Sequence, residues 1–337
     1  MEAKYVQFTA KDTVEVCTED VTVENLAPME AVIRNETSIL SAGTELSRLH
    51  GLEGGMSFPV RPGYGSIGRI EALGEGISDF RIGDRVFYAG KHASLQRFTH
   101  GENHQWAYLF PVPDSLDPVD ASVGCMAEIA MTAPNVTQLK LGDTVAVFGL
   151  GMVGNLAAQL YKLAGARVIG VDPVRARCEV ARQVGIDEVV DAAPDKQVEA
   201  VKDLTGGEGA QVTVDAVGHS AVIENCVAAA EIFGQVVLVG TPRAKYETNM
   251  TSVLKDVHTR GLVVRGAHMW RYPVEADRNV PMSVCWAFET VFGMTADGRL
   301  KVRPLISHVV VPDEIPAAYQ GLDQDRMHYT GVVVDWR

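Results

Sequence analysis

The sequence of 337 residues has few cysteines, and their arrangement excludes two kinds of site. The five are Cys17, Cys125, Cys178, Cys226 and Cys285. Their number is odd and no two of them form a C-x-x-C pair. We therefore expect neither a disulfide framework nor a cysteine-rich zinc site, and we expect buried thiols in a reducing compartment.

Positive charge is also scarce, with 30 Lys and Arg residues against 43 Asp and Glu and a formal net charge of −13. An acidic surface repels phosphate backbones, so we expect no nucleic-acid partner. No apolar run approaches the ~20 residues of a membrane helix, and the first ten residues lack the pattern of a signal peptide. We therefore expect a cytoplasmic protein with no membrane partner.

The composition is that of a globular protein, with 47% hydrophobic and 22% charged residues. At roughly 150 residues per domain, the length suggests two domains. Up to about residue 115 the chain carries short β-rich runs separated by turn residues, as in 31–40 and 81–90. The glycines of 61–76 indicate tight turns and close backbone approach. These features predict a mostly antiparallel β domain.

The pattern changes near Asp117-Pro118, which predicts the start of a helix through a capping side chain and a proline in the first turn. The apolar stretch continues to about Leu139. After it, β and α patterns alternate, with strands predicted over 144–148, 167–171, 189–190, 212–214, 236–239 and 262–265 and helices over 155–163 and 175–184. Such alternation predicts a parallel sheet with helices on both faces. A helix over 282–295 and a strand within 331–336 follow.

A glycine motif follows the first of these predicted strands. Gly149, Gly151 and Gly154 form G-x-G-x-x-G between a strand and a helix, where glycines permit a tight turn, close approach to a pyrophosphate and helix packing. Asp172 ends the next strand, and its distance in sequence from Gly149 is close to the ~20 residues expected for the acid that binds the adenosine ribose. Its charge would repel a 2′-phosphate, so the pattern favours NAD over NADP. The alternative is a glycine-rich turn with no ligand.

The predicted coenzyme site includes further residues near these glycines and after other strands of the sheet. They are Met152, Val153, Arg177, Val217, Val239 and Gly240. Arg177 follows Asp172 closely and could soften the preference for NAD.

Three blocks carry a family resemblance. SAGTELSRLHG (41–51) is similar to C-G-T-D-x-x-x-x-H-G, and 61–86 is similar to P-x-x-x-G-H-E-x-x-G-x-V-x-x-x-G…G-D-R-V. LKLGDTVAVFGLGMVG (139–154) matches L-K-P-G-D-x-V-x-V-x-G-x-G-x-x-G. The chain thus resembles the medium-chain dehydrogenase/reductase family, the relatives of zinc alcohol and polyol dehydrogenases. The resemblance implies an α/β protein with a GroES-like catalytic domain, from 1–120 and 266–337, and a Rossmann domain from 121–265.

The departures from the family pattern concern the metal. The resemblance places the family's catalytic zinc ligands at Ala42, Tyr64 and Cys125, and only the last can bind zinc. A catalytic zinc site needs about three protein ligands. The cysteine-rich lobe of the structural zinc is also missing. We therefore expect no metal, as in the bacteriochlorophyllide dehydrogenase-like branch, which the sequence also resembles.

Without zinc, a side chain must handle the proton of the reacting hydroxyl group. By resemblance the candidates are Tyr64, Thr44, Glu45 and His50. Tyr64 either contacts the reacting oxygen or only fills the vacated metal position. Thr44 corresponds to the start of the family's proton relay, Glu45 to an acid beside the metal, and His50 to a histidine with a structural or relay role.

Candidates for substrate contact lie on two segments. Lys91 and His92 follow the shortened loop, and His268, Trp270 and Arg271 follow the last Rossmann strand. Surface or core positions are the alternatives. We interpret Cys125 as a buried thiol, with a nucleophile or a metal ligand as the alternatives. We interpret Glu128, three residues later, as a carboxylate on a helix surface, with approach to the nicotinamide side as the alternative.

We predict a zinc-independent, NAD-dependent dehydrogenase that oxidises a secondary alcohol of a sugar, cyclitol or other polyhydroxylated or ring substrate. The alternatives are a zinc-free NAD(P)H quinone or enoyl reductase and an NAD(H)-binding protein without turnover. Family members commonly dimerise through the edge of the Rossmann sheet, which is 262–268 here. A homodimer or a dimer of dimers is therefore expected by resemblance.

Overall fold

The computed structural model describes residues 1–53, 56–101, 107–280 and 282–337, and the side chain of Trp270 lies outside the described part. The strands are β1 Glu2–Ala10, β2 Thr13–Asp20, β3 Glu30–Leu40, β4 Ser66–Leu73, β5 Arg85–Tyr88, β6 Leu95–Thr99, β7 Phe110–Pro111, β8 Thr144–Phe148, β9 Arg167–Asp172, β10 Glu188–Asp191, β11 Ala210–Asp215, β12 Ala230–Leu238, β13 Val263–Gly266, β14 His308–Val310 and β15 Val332–Asp335. The α-helices are α1 Thr44–Leu49, α2 Pro118–Ala121, α3 Gly124–Val136, α4 Met152–Leu163, α5 Arg175–Val184, α6 Gln197–Leu204, α7 Ser220–Ala229, α8 Met250–Thr259, α9 Val284–Ala296 and α10 Ile315–Gln324.

The chain divides into two compact units. Unit 1 contains Met1–Cys125, Tyr272–Gly298 and Ile306–Arg337, and unit 2 contains Met126–Arg271 and Arg299–Leu305. Our sequence-based division assigned all of 266–337 to the first domain. Two parts of that range, 266–271 and 299–305, lie instead with unit 2. The second is held there because the Gln159 side chain bonds both the N–H and the carbonyl group of Lys301.

Unit 1 is built around a seven-stranded sheet with the order β14-β15-β3-β4-β5-β7, in which β6 also pairs with β3. All of these pairs are antiparallel except β14 with β15. The strand β3 is the long central strand, and its apolar residues are buried on both faces. One core joins Phe8, Leu40 and Val332 to Tyr319 of α10, so residues from both ends of the chain fold together.

Unit 2 is a parallel six-stranded sheet with the order β10-β9-β8-β11-β12-β13. Counted from β8, this is the order 3-2-1-4-5-6 of the doubly wound dinucleotide-binding fold. The central strand β8 is buried along its whole length, as a strand covered on both faces must be. The reversal of strand order between β8 and β11 opens a crevice at the carboxyl ends of the strands, where this fold binds its ligands.

Most predicted elements are confirmed. The strand over 144–148 and the helix over 175–184 have the predicted bounds, and the Asp117 carboxylate accepts the N–H of Val119 at 2.8 Å as the predicted helix cap. The stretch from 117 to 139 is divided between α2 and α3. Glu128 of α3 is only 2% exposed, so its interpretation as a surface carboxylate is wrong.

Among the described residues, no helix combines the length and the apolar character that spanning a membrane requires.

Candidate functional site

The glycine motif forms the turn between β8 and α4. Gly149 has a φ of +93°, a conformation that favours glycine. A Cβ atom added to Gly154 would lie 1.8 Å from the carbonyl oxygen of Gly149, so this glycine lets the helix pack against the turn. A Cβ atom on Gly151, the N-cap of α4, would meet nothing within 4 Å. The turn therefore leaves open space in front of the helix.

The N-terminus of α4 offers main-chain N–H groups to that space. Met152 and Val153 form its first turn and are both partly exposed. A helix N-terminus attracts anions through its N–H groups and its dipole. Open space over Gly151, with this N-terminus behind it, fits the pyrophosphate of a dinucleotide.

Asp172 ends β9 and binds the main chain of the same turn. Its Oδ2 atom accepts the N–H of Leu150 at 2.7 Å, and its Oδ1 atom accepts the N–H of Val174 at 2.8 Å. Arg177 places Nη1 at 3.6 Å from Oδ2, and its Nε atom is buried without a hydrogen-bond partner. Through these bonds the buried carboxylate of Asp172, only 1% exposed, supports the turn. Its role towards a ribose stays a prediction.

The other predicted coenzyme residues lie on the same side of the sheet. Val217 follows β11, is 54% exposed, and packs over Gly149, whose added Cβ atom would lie 2.5 Å from it. Val239 and Gly240 follow β12, and both donate their N–H groups to the carbonyl oxygen of Asp215 at 2.9 Å. The structure thus brings together all the predicted coenzyme residues at the carboxyl edge of the sheet. Their contact with a coenzyme stays a prediction.

In unit 1, a buried polar network surrounds Glu45. Its Oε1 atom lies 3.1 Å from Nε2 of His92, and both side chains are completely buried. The Nδ1 atom of His92 lies 2.8 Å from Oγ of Ser38. Both ring nitrogens of His92 are therefore engaged inside the protein, which leaves neither for the substrate contact that the sequence predicted.

The C-terminal part of the chain completes this network. The hydroxyl group of Tyr319 donates to Oε2 of Glu45 at 2.8 Å, and Nε1 of Trp336 donates to Oγ of Ser38 at 2.9 Å. The Oε2 atom of Glu45 also accepts the N–H of Ser41 at 3.0 Å. Glu45 thereby fixes the segment that carries Ser41, Ala42 and Thr44.

Tyr64 meets that segment. Its hydroxyl group donates to Oγ of Ser41 at 2.5 Å. The Sγ atom of Cys125 donates to the carbonyl oxygen of Tyr64 at 3.8 Å, so these two residues lie together as the resemblance implied. Burial raises the pKa of Tyr64, and so do the nearby Cys125 and Glu45, against hydrogen bonds to Ser41 and Thr44 that lower it. The phenol therefore keeps its proton at neutral pH.

The donor set at this place does not fit a catalytic zinc ion. Ala42 has no ligand atom, and Tyr64 offers a phenol that holds its proton, which leaves the buried thiol of Cys125. In the described part of the chain, no group of three or more His, Cys, Asp and Glu side chains could hold a metal ion.

Unlike the buried residues around Glu45, His50 is partly exposed and Lys91 is exposed. The Nδ1 atom of His50 lies 2.7 Å from Asp12 and its Nε2 atom lies 3.1 Å from Asp323, so both nitrogens face carboxylates near the surface. The hydrogen bond with Asp12 is the main reason that the pKa of His50 is raised. Although Lys91 is exposed as a whole residue, the surrounding protein desolvates its ammonium group. This desolvation, followed by the nearby charge of Arg48, lowers the pKa of Lys91.

The remaining predicted substrate residues lie in unit 2, after β13. His268 and Arg271 are exposed, and the N–H of Arg271 donates to the carbonyl oxygen of His268 at 3.1 Å. The sequence also predicted a substrate contact for Trp270, whose side chain lies outside the described part of the structure. Their contact with a substrate stays a prediction.

Sequence reasoning missed four residues of the network, which are Ser38, Ser41, Tyr319 and Trp336. Ser41 directly precedes Ala42 in the segment that carried the resemblance, so its hydroxyl group could have been considered. Tyr319 and Trp336 lie far along the chain in segments without a motif, and only the fold brings them to Glu45 and Ser38.

Comparison with known proteins supports the same two-part organisation. Residues 27–130 match the alcohol dehydrogenase GroES-like domain, and residues 152–276 match the zinc-binding dehydrogenase family. The chain belongs to the medium-chain dehydrogenase/reductase superfamily. The fold class predicted from the sequence is thereby confirmed, with a GroES-like and a Rossmann-like domain.

Among curated proteins, D-guloside 3-dehydrogenase of Escherichia coli K12 is 31% identical over 162 residues. The match covers 48% of this chain and 45% of that relative, so the chain matches less than half of its length. An alcohol dehydrogenase of Geobacillus stearothermophilus is 27% identical over 233 residues, which cover 61% of this chain and 68% of the relative.

A solved structure of galactitol-1-phosphate dehydrogenase from Escherichia coli has the same fold. It superposes with a TM-score of 0.81 at 19% identity, over 98% of this chain and 99% of the other.

Proposed function

We propose that this chain is an NAD-dependent, zinc-independent dehydrogenase that oxidises a secondary alcohol of a polyhydroxylated substrate to a ketone. One observation carries the proposal. At a position where the zinc relatives bind their metal, the chain has a phenol, Tyr64, whose hydroxyl group lies 2.5 Å from Oγ of Ser41. A pair of hydroxyl groups can exchange protons with a substrate oxygen without a metal.

The residues of unit 2 would hold the coenzyme. Gly151 and the first turn of α4 fit the pyrophosphate, and the Asp172 carboxylate can accept further hydrogen bonds from ribose hydroxyl groups. The negative charge of Asp172 disfavours a 2′-phosphate and supports NAD. The bound coenzyme would supply a hydride acceptor for the carbon of the alcohol. The positive charge of Arg177, whose Nη1 atom lies 3.6 Å from Oδ2 of Asp172, acts in the opposite direction and favours the 2′-phosphate of NADP.

The side chains of unit 1 would handle the proton. Because the raised pKa of Tyr64 keeps its phenol neutral, Tyr64 can receive the substrate proton only while it passes its own proton to Oγ of Ser41. Ser41 would at the same time release its own hydroxyl proton to water, so that both hydroxyl groups stay neutral and the substrate proton ends in solvent. In the reverse direction Tyr64 donates its proton to the carbonyl oxygen of the ketone. Glu45 acts here as a positioning residue, since it bonds the N–H of Ser41 and so fixes the segment that carries one member of the pair.

The proposed substrate class rests on polarity and on one relative. Thr44 and the Tyr64–Ser41 pair offer hydroxyl groups, which suit a substrate with several hydroxyl groups of its own. The name of the relative D-guloside 3-dehydrogenase describes oxidation of a sugar derivative, and we extend that class to this chain.

We also propose that the chain forms a homodimer, or a dimer of dimers, through β13. This strand is an edge of the sheet, and its residues Val263 and Val264 are 41% and 46% exposed. An exposed apolar edge strand is a template for pairing with another chain. Light scattering should give twice the chain mass or more, and Val264→Lys should lower it. A monomeric unaltered chain would contradict the proposal.

The proposed function is tested by kinetics of Tyr64→Phe with sugars and cyclitols as substrates and NAD as coenzyme. We expect kcat to fall by about 10²–10⁴-fold, the usual contribution of a positioned acid or base. Tyr88→Phe is the matched control, because its hydroxyl group bonds Asn35 in the core, and its kcat should be unchanged.

Two outcomes would contradict the proposal. Reduction of quinones or enones with NADPH at an unchanged rate in Tyr64→Phe would support a reductase. Tight NADH binding without turnover of any alcohol or ketone would support a binding protein.

A further inference from the structure

Glu128 in α3 has no role in the function proposed above, and its environment is unusual. It is 2% exposed, and its buried Oε2 atom has no hydrogen-bond partner in the described structure. Burial raises its pKa to about 8, so the carboxyl group is mostly protonated at pH 7 and carries an O–H donor. A buried polar atom without a partner is costly, so its retention requires an explanation.

The packing of α3 on the sheet of unit 2 locates Glu128. One turn further along the helix, Oγ1 of Thr132 donates to the carbonyl oxygen of Ala267, the residue after β13. The N–H of Ala267 in turn bonds Leu238, the last residue of β12. Ala267 therefore marks the carboxyl edge of these two strands.

The segment after α3 fixes its direction. Gln138 donates its N–H to the side chain of Gln235, which lies earlier in β12 than Leu238. The helix thus runs from the carboxyl edge back over the strands. Glu128 lies one turn before Thr132, about 6 Å along the helix axis at 1.5 Å per residue, and therefore on the carboxyl-edge side of the contact with Ala267.

That edge corresponds to one half of a dinucleotide site. The dinucleotide of this fold lies across the point where the strand order reverses, here between β8 and β11. The glycine turn and Asp172 follow β8 and β9, so the adenosine half belongs to that side. The nicotinamide half then belongs to the side of β11, β12 and β13, where Glu128 lies.

We propose that Glu128 is a specificity-determining residue of the coenzyme site and donates its carboxyl proton to the carboxamide oxygen of the nicotinamide. This inference rests on the proposed use of a nicotinamide coenzyme. A bound carboxamide would supply the partner that Oε2 lacks. It requires only a dinucleotide in unit 2, and it is independent of the proton transfer assigned to Tyr64.

The test compares two ligands that differ only in the nicotinamide half. Dissociation constants for NADH and ADP-ribose are measured by fluorescence and calorimetry on the unaltered chain, Glu128→Leu and Glu128→Gln. We expect Glu128→Leu to weaken NADH by about tenfold or more and to leave ADP-ribose within about twofold. Glu128→Gln keeps an N–H donor and should bind NADH within about threefold of the unaltered chain.

A measurement without ligand completes the test. Because Glu128→Leu removes a buried polar atom that has no partner, the free protein should be equally stable or more stable towards urea. Loss of stability or misfolding in Glu128→Leu, or equal weakening of both ligands, would assign Glu128 a structural role and overturn the inference. If the unaltered chain binds neither ligand, the proposed function fails as well. If it binds both and Glu128→Leu binds NADH normally, only the inference about Glu128 fails.

Discussion

The Oε1 atom of Glu45 lies 3.1 Å from Nε2 of His92, and neither side chain has any exposed surface. The resemblance implied an acid beside a metal at position 45. In this chain the acid instead binds a histidine, the hydroxyl group of Tyr319 and the main chain of Ser41. Protein groups therefore satisfy the carboxylate, and through Glu45 they fix the segment beside Tyr64.

Loss of Glu45 should be strongly destabilising. Glu45→Ala leaves the ring of His92, the hydroxyl group of Tyr319 and the N–H of Ser41 without their partner. We expect the free energy of unfolding in urea to fall by about 3–5 kcal/mol, the range for breaking a buried polar pair. Tyr319→Phe removes a single hydrogen bond and should cost about 1–2 kcal/mol. Equal effects of the two substitutions would contradict the central position of Glu45.

Two alanine substitutions in the glycine turn should separate coenzyme binding from stability. Gly151→Ala places its Cβ atom in open space, so the free energy of unfolding should change by less than about 1 kcal/mol, while NADH affinity falls about tenfold or more. In Gly154→Ala the new Cβ atom clashes with the carbonyl group of Gly149, so the free energy of unfolding should also fall, by about 1–3 kcal/mol. Normal NADH binding by Gly151→Ala would show that this space does not hold the pyrophosphate.

Asp172 should influence both the coenzyme preference and the stability. Asp172→Asn cannot accept both N–H groups, from Leu150 and Val174, so we expect a loss of about 1–3 kcal/mol in unfolding free energy. Removal of the charge should also raise the ratio of NADPH to NADH affinity. Asp191→Asn is the control, since Asp191 ends the neighbouring strand β10 and is exposed. An unchanged affinity ratio in Asp172→Asn would refute the charge argument.

His50 should make stability depend on pH. Its pKa is raised in the folded chain, mainly by the hydrogen bond with Asp12, above the usual 6.5. The stability that it contributes is therefore fully present below pH 6.5 and is lost as the pH rises through the folded pKa. His50→Gln should destabilise the protein most at pH 5.5 and least at pH 9 in urea unfolding.

The same variant addresses the relay role that the resemblance implies for His50. In a double-mutant cycle with Asp12→Asn, the effect of His50→Gln at pH 5.5 should become smaller, because its main partner is already lost. A fall in kcat with no pH-dependent change in stability would favour the relay role instead.

Some parts of this structure could be predicted from the sequence because their determinants are local. The strand β8, the glycine turn and the cap at Asp117 depend on residues that are adjacent in the chain. The positions of Tyr64 and Cys125 followed from the family resemblance, which encodes long-range contacts indirectly.

Other parts could not be predicted, because they depend on contacts between distant segments. The periodicity of α3 did not indicate that Glu128 would be buried, since that depends on the packing around the helix. Likewise, no local pattern connects Tyr319 with Glu45. The partners of His92 and His50 also come from distant segments, so their sequence motifs did not reveal that both rings are engaged with other protein groups.

Zinc analysis combined with an activity assay decides whether the Tyr64–Ser41 hydroxyl pair replaces the catalytic metal. Purified protein is analysed for zinc and assayed with NAD and its best polyol before and after dialysis against a strong chelator. We expect less than about 0.1 zinc per chain and full activity after dialysis, because the donor set lacks the three ligands that catalytic zinc requires. About one zinc per chain, with activity lost on chelation and restored by zinc, would contradict it.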